Sequence, residues 1–195
     1  MIERDDLEKL VRRNPGQGTV DEYARIVEVV RKRVPGKVLV FGVGRDSEIW
    51  IRANEGGETV FLENEAEWIR MAREKNPGAR IHQVEYDTRR FLWRWYLHRE
   101  ERLFMNDLPG EVLHTDWDVI FVDSPQGQSW KRPGRMKSIY TAGRLARTSA
   151  GEVDVLIHDC DRTVERVYSD TYLGDRYLVA RVDRLRHYRL PAAPG

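Results

Sequence analysis

Short apolar runs alternate along this chain with segments of helical periodicity, and this alternation constrains the fold more than any other feature. Glycine and proline residues separate the two kinds of segment. The apolar runs predict buried strands over 37–42, 59–62, 80–86, 118–122 and 153–157. Helical spacing predicts helices over 1–13, 20–33, 47–55, 65–75, 89–104, 137–148 and 163–172.

Strands that alternate with helices indicate βαβ units. The predicted fold class is therefore α/β, with a mainly parallel central sheet and helices on both faces. The segment 177–190 contains two β-rich pieces and predicts a C-terminal antiparallel strand pair. In such sheets ligands bind at the carboxyl ends of the strands, so the residues that follow each strand are the candidate site.

Length and composition favour one domain. The chain has 195 residues, of which 41% are hydrophobic, enough for one sizeable core. We expect a single domain over 1–195, with an N-terminal helical segment at 1–36 and the α/β core at 37–191. The 33 basic and 32 acidic residues leave a net charge of +1, which argues against a dedicated nucleic-acid binder.

Cellular setting is indicated by cysteine usage and hydropathy. One cysteine, Cys160, excludes an intramolecular disulfide and a multi-cysteine zinc cluster. No apolar run approaches the roughly 18 residues of a membrane span, and the first residues lack the apolar core of a signal peptide. We therefore expect a cytoplasmic protein without a membrane partner; the sequence does not indicate its oligomeric state.

A glycine-containing turn follows the first predicted strand. Gly42 and Gly44 permit a tight turn and close approach of a ligand, just before a helix N-terminus. Asp46 and Ser47 follow, and either could instead cap that helix. After the second strand stands Glu63, 19 residues beyond Gly44. This is close to the offset of about 20 residues at which an acidic side chain binds ribose hydroxyls, although a helix cap is again the alternative.

The fourth and fifth strands end in polar residues. Asp123 follows the fourth strand, and His158, Asp159 and Asp161 follow the fifth. These strand ends should be neighbours, which makes Asp123, His158 and Asp159 candidates for acid–base catalysis or for binding one divalent cation. Asp161 is better explained as a surface ion pair or a helix cap.

Two further segments carry aromatic and basic residues. The loop 126–136 contains Trp130 with Lys131, Arg132 and Arg135, a combination suited to an anionic or sugar-like substrate. In the predicted helix 89–104 the stripe of Leu92, Trp95, Tyr96 and Leu103 recurs at helical spacing, and we expect it to pack in the core.

Several of these segments together resemble one known family. FGVGRDSEIW (41–50), TVFLEN (59–64), DWDVIFVDSPQG (116–127), PGRMKSIYTAG (133–143), HDCDRTVE (158–165) and RLRHYRLP (184–191) are similar to the plant-type polysaccharide-biosynthesis family that includes glucuronoxylan 4-O-methyltransferase. The resemblance implies a Rossmann-like S-adenosylmethionine methyltransferase fold and S-adenosylmethionine as cofactor.

The same resemblance implies roles for individual residues around the cofactor. Gly42, Gly44 and Asp46, followed by Ser47, would hold its methionine part. Glu63, followed by Asn64, would take the ribose hydroxyls.

Around the acceptor, Asp123 would lie beside the transferred methyl group, and the segment HDCDR, which contains His158 and Asp159, would complete the reaction site. Trp130, Arg132, Arg135 and Met136 would border the acceptor.

A divalent metal is also implied by the resemblance. Asp123 and Asp159 are the candidate ligands, for magnesium, manganese or cobalt. Metal-free catalysis, with Asp123 or His158 as the base, is the alternative.

The predicted function is O-methylation of a uronic-acid saccharide or of a small hydroxyl- or carboxylate-bearing metabolite. Two alternatives stay open: a non-catalytic S-adenosylmethionine-binding protein, and a nucleotide- or NAD-dependent enzyme. Ser47 counts against the second of these because it occupies the third glycine position of the dinucleotide fingerprint.

Overall fold

The computed structural model of the protein describes residues 2–193 and contains one seven-stranded sheet of order β3-β2-β1-β4-β5-β7-β6. The strands are β1 (Lys37–Phe41), β2 (Glu58–Glu63), β3 (Arg80–Gln83), β4 (Val119–Val122), β5 (Val153–Ile157), β6 (Leu178–Val182) and β7 (Leu185–Leu190). Strands β1 to β5 are parallel, whereas β7 runs antiparallel to both β5 and β6. The predicted mainly parallel sheet and C-terminal antiparallel pair are both confirmed.

Eight α-helical segments accompany the sheet in the described part of the chain. They are α1 (Arg4–Arg13), α2 (Val20–Arg31), α3 (Ser47–Ala53), α4 (Ala66–Lys75), α5 (Trp93–Tyr96), α6 (Gly110–Leu113), α7 (Met136–Thr148) and α8 (Thr163–Tyr172). Most match the predicted helices to within a few residues. Helix α2 begins where Thr19 and Glu22 form a reciprocal capping box, which satisfies two backbone N–H groups at its start.

The sheet separates two hydrophobic cores because its central strands are buried on both faces. In β1, Leu39 and Phe41 belong to the core on one face, while Val38 and Val40 belong to the core on the other. Helix α7 covers the first face. Helices α1 to α4 contribute to the second, so the N-terminal segment shares a core with the sheet.

The prediction of one helix over 89–104 is wrong. The segment forms a 3-10 turn at Arg90–Leu92, the short helix α5, and a second 3-10 turn at Glu100–Arg102. The chain leaves the helix at Leu97, whose ψ is 125°, and His98 follows in the left-handed region with φ of 69°. The predicted core stripe is therefore divided: Leu103 is fully buried, whereas Trp95 is 46% exposed.

Two predictions reach beyond what the structure describes. Of the predicted domain 1–195, residues 1, 194 and 195 lie outside the described residues, and the one-domain assignment stays a prediction. Within residues 2–193, no helix combines the length and the apolar character needed to cross a membrane.

Candidate functional site

A cleft of about 420 Å³ opens at the carboxyl ends of β1, β2, β4 and β5. It lies where the strand order reverses, since β1 has β2 on one side and β4 on the other. Such switch points are the usual ligand sites of open α/β sheets, and the volume is within the range for small-molecule sites. The predicted residues that line it are Gly42, Gly44, Asp46, Glu63, Asn64, Asp123, Arg135, His158 and Asp159.

The turn after β1 requires glycine at Gly42 and is tightly packed at Gly44. Gly42 has φ of 120°, and a Cβ atom there would lie 3.0 Å from the Cβ of Ser124. A Cβ on Gly44 would lie 2.7 Å from Oδ1 of Asp46. Ser47 does not line the cleft: its buried hydroxyl accepts a hydrogen bond from the Gly44 N–H at 3.0 Å. Its predicted contact with the cofactor is replaced by support of the turn.

Glu63 is positioned by the backbone on both sides of it. One carboxylate oxygen accepts from the N–H groups of Asn64 and Glu65, at 2.7 and 2.8 Å, and the other accepts from Val43 N–H at 2.9 Å. Burial nevertheless raises the pKa of Glu63. The side chain lines the cleft and also fixes the start of α4. Its position therefore agrees with both predicted roles, ribose binding and helix capping.

A buried ion network joins the ends of β4 and β5. Nη2 of Arg135 lies 2.9 Å from Oδ1 of Asp123 and 2.7 Å from Oδ2 of Asp159. Asp159 also forms ion pairs with Arg162, whose Nη1 lies 2.8 Å from Oδ2, and with Arg184, whose Nη1 lies 3.3 Å from Oδ1. Its backbone is left-handed, with φ of 59°, a strained conformation of the kind that concentrates at functional sites. The two predicted carboxylates are indeed neighbours, and guanidinium groups balance their charge.

His158 is a cation in this network. Its Nδ1 lies 3.0 Å from Asp123 and its Nε2 lies 3.3 Å from Glu22, so both ring nitrogens face carboxylates. Although burial opposes the charge, these neighbours raise the pKa of His158 to about 10. At neutral pH the ring is therefore protonated, which argues against the alternative of His158 as a catalytic base.

The predicted metal site does not fit these residues. Ligand atoms of Asp123, His158 and Asp159 lie within 4.8 Å of one another, a spacing that a cation would need. However, both oxygens of Asp159 already face guanidinium groups, and Arg135 also faces Asp123. A divalent ion would have to displace Arg135 from a site where positive charge is already abundant.

Asp46 and Asp123 differ in protonation although they share the cleft. Despite burial, His158 and Arg135 lower the pKa of Asp123 to about 2. Burial, together with the charge of Asp123, raises the pKa of Asp46 to about 7. Two carboxyl groups whose pKa values are driven apart suit different tasks: Asp123 is a fixed anion, and Asp46 can exchange a proton near neutral pH.

The predicted acceptor residues separate into two groups. Met136 is fully buried in the hydrophobic core and offers no surface to a ligand, so its assignment is wrong. Arg135 reaches the cleft but pairs with internal carboxylates, contrary to its predicted pairing with the acceptor. Trp130 and Arg132 are exposed on the loop whose first residues, 126–128, line the cleft, but neither of them lines it.

The N-terminal segment supplies cleft residues that the sequence interpretation missed. Asn14, Gln17 and Tyr23 line the cleft together with the glycine turn, and Arg45 of that turn donates to Oδ1 of Asn14 at 3.4 Å. Buried Glu22 accepts from the Arg184 backbone N–H at 2.8 Å and faces His158. The only signal at Glu22 was the capping box, which explains the residue locally and conceals its long-range role.

The chain is similar to a described family over most of its length. The family model IRX15/IRX15L/GXM matches residues 21–92 and 94–188. This chain belongs to the IRX15/IRX15L/GXM family. Its relatives from Arabidopsis thaliana include Glucuronoxylan 4-O-methyltransferase 3, which is 37% identical over 90% of this chain and 65% of its own length. Arabinogalactan O-methyltransferase 2 is 35% identical over 91% of this chain and 68% of its own. The chain thus spans about two thirds of the relatives it matches.

Solved structures confirm the fold. An O-methyltransferase from Bacillus cereus, in complex with S-adenosylhomocysteine, superposes with a TM-score of 0.57 over 96% of this chain and 90% of its own, at 12% sequence identity. The predicted Rossmann-like methyltransferase fold and the family resemblance are both confirmed.

Proposed function

We propose that this chain is an S-adenosylmethionine-dependent O-methyltransferase whose acceptor is a hydroxyl group of a uronic-acid-bearing saccharide. The observation that carries the proposal is the cleft in which the glycine turn, Glu63 and two carboxyl groups of unequal pKa meet. Family membership supports the same reaction, since the relatives are named for O-methylation of glucuronoxylan and arabinogalactan.

The cofactor site is formed by the ends of β1 and β2. The turn at Gly42 and Gly44 leaves room for the methionine part close to the backbone, and Glu63 offers carboxylate oxygens to the ribose hydroxyls. When bound, S-adenosylmethionine supplies the methyl group that is transferred from its sulfonium sulfur.

Asp46 is the proposed general base. A hydroxyl acceptor must lose its proton as it attacks the methyl group, and a base with a pKa near the working pH does this most effectively. Asp46 lines the cleft and has its pKa raised to about 7 by burial and by the charge of Asp123. Asp123, which Arg135 and His158 hold ionised, supplies a fixed negative charge close to it.

An anionic acceptor agrees with the cations at the rim of the cleft. Arg45 and Arg162 both line it, and within the described ranges Arg45 forms no ion pair with a carboxylate. A guanidinium group can bind a carboxylate through two parallel hydrogen bonds, which suits the acid group of a uronic acid.

The proposal is tested first by ligand binding. S-adenosylhomocysteine at about 100 times its dissociation constant should stabilise the fold by roughly 2.7 kcal/mol. For a protein of this size that corresponds to a rise of about 5–11 °C in melting temperature. No rise with this ligand and a clear rise with NAD would instead favour a nicotinamide enzyme. Binding without transfer to any saccharide or small acceptor would favour the non-catalytic alternative.

A further inference from the structure

Three aromatic side chains are exposed to solvent on two neighbouring segments, 89–99 and 126–135. Phe91 is 50% exposed, Trp95 46% and Trp130 67%. Across residues 2–193 the remaining aromatic side chains are buried or half-buried. Exposed apolar groups that cluster in this way mark binding surfaces more often than scattered ones do. We call Phe91, Trp95 and Trp130 the aromatic shelf.

Backbone hydrogen bonds join the two segments that carry the shelf. The Phe91 N–H donates to the Trp130 carbonyl at 3.2 Å, and the Arg90 N–H donates to the Arg132 carbonyl at 2.9 Å. Trp95 follows Phe91 by four residues, in the helix α5 that continues directly from the 3-10 turn of Phe91. The loop residues 126–128 line the cleft directly before Trp130. The shelf is therefore continuous with the rim of the cleft.

The two segments that carry the shelf are cationic. Segments 88–99 and 126–135 contain no Asp or Glu, although the whole chain has a net charge of only +1. One cation already rests on the shelf, since the guanidinium carbon of Arg99 lies 4.3 Å from the centre of the Trp95 ring. The exposed cations of the two segments are Arg89, Arg94, Arg99, Lys131 and Arg132.

From this arrangement we infer that the shelf binds the sugar residues that flank the methylated position in an acidic saccharide chain. The inference rests on the proposed function and extends it to a second binding surface outside the cleft. Sugar rings present an apolar face of C–H groups that packs on an aromatic ring, and their acid groups pair with arginine. A solvent-exposed surface leaves the remaining hydroxyl groups hydrated.

Single-stranded nucleic acid is the competing occupant, because bases stack on aromatic rings and phosphates pair with arginine. The saccharide is favoured because the shelf adjoins the cleft in which the acceptor sugar would lie. An extended chain that enters the cleft with one sugar places its neighbouring sugars at the rim, which the shelf adjoins.

The test measures binding directly, without turnover. Short and long glucuronic-acid-bearing xylo-oligosaccharides are titrated calorimetrically into the protein, with and without saturating S-adenosylhomocysteine. Phe91→Ala, alone and combined with Trp130→Ala, should weaken binding of the long oligosaccharide about three- to tenfold per ring removed. The preference for long over short oligosaccharides should fall accordingly, while the affinity for S-adenosylhomocysteine stays the same.

Val179→Ala is the matched control, because Val179 is 47% exposed and lies on β6 rather than on the shelf. It should leave the preference for length unchanged, and melting curves check that every variant is folded. Wild-type affinity for the long oligosaccharide in the double variant would overturn the inference. So would an oligouridylate that binds more tightly than the saccharide and depends on the same rings.

The design separates the two proposals. Failure of S-adenosylhomocysteine to bind the wild-type protein would overturn the proposed function. The oligosaccharide titrations without that ligand would still decide whether the shelf binds saccharide.

Discussion

Replacing Arg135 by alanine should lower the free energy of unfolding by about 3 kcal/mol, because it removes a buried cation from two carboxylates at once. The Arg135 side chain is 6% exposed, and its Nη2 lies 2.9 Å from Oδ1 of Asp123 and 2.7 Å from Oδ2 of Asp159. Breaking a buried ion pair by removing one partner costs about 3–5 kcal/mol. The lower end of that range applies because Asp159 keeps its contacts with Arg162 and Arg184.

Urea denaturation, followed by tryptophan fluorescence, measures this loss. With a denaturant slope of about 2 kcal/mol/M, a loss of about 3 kcal/mol lowers the midpoint by about 1.5 M. Arg132→Ala is the matched control from the same loop. Its side chain is 50% exposed and pairs with Glu65 at 3.1 Å, and such surface pairs contribute about 0–1 kcal/mol.

The pH dependence of the loss identifies its cause. Asp123 has a folded-state pKa of about 2, below its ordinary value of 3.8. Its contribution to stability is therefore present above the ordinary value and disappears as the pH falls through about 2. The difference in free energy of unfolding between wild type and Arg135→Ala should be largest at neutral pH and should decrease in acid. Equal midpoints for the Arg135 and Arg132 variants at neutral pH would refute the structural role of the network.

Three further predictions concern the cleft. In the wild type, kcat/KM for S-adenosylmethionine should rise with pH through about 7 as Asp46 loses its proton. The Asp46→Asn variant should lack this rise and have a lower kcat. A rise that persists in the variant would assign the base to another residue. Glu63→Gln should weaken S-adenosylhomocysteine about ten- to a hundredfold in calorimetry. It should also lower the melting temperature, because the amide NH₂ of glutamine would replace a carboxylate oxygen that accepts from backbone N–H groups such as that of Val43. Unchanged affinity for S-adenosylhomocysteine would leave Glu63 a purely structural role. Dialysis against a chelator should leave the rate of methyl transfer unchanged, because Arg135 already pairs with the carboxylates of Asp123 and Asp159. A rate that is lost on dialysis and restored by adding one metal would contradict this ion network.

The features that sequence reasoning found are those determined by local pattern. An apolar run of four to six residues between turn residues specifies a buried strand, and parallel strands bring their carboxyl ends to one edge. That was sufficient to place Glu63 beside the turn at Gly42, and Asp123 beside Asp159. The predicted helix at 89–104 failed because periodicity does not reveal the left-handed residue His98 that interrupts it.

The roles of charged groups in the site depend on partners that are distant in sequence. Arg135 looked like a substrate-binding residue because it lies in a basic loop, but the fold places it between two carboxylates. His158 looked like a base of ordinary pKa, but Asp123 at one ring nitrogen and Glu22, from α2, at the other raise its pKa to about 10. A pKa depends on burial and neighbours, neither of which a single sequence specifies.

The expected cytoplasmic location stays a prediction.

Transfer of an isotopically labelled methyl group from S-adenosylmethionine to a glucuronic-acid-bearing oligosaccharide, followed by mass spectrometry, tests the central claim most directly. We predict that the wild-type protein places the label on a sugar hydroxyl oxygen. Asp46→Asn should bind S-adenosylhomocysteine but transfer the label far more slowly. Wild-type protein that binds S-adenosylhomocysteine yet labels no hydroxyl of any saccharide, or Asp46→Asn that transfers at the wild-type rate, would contradict the account.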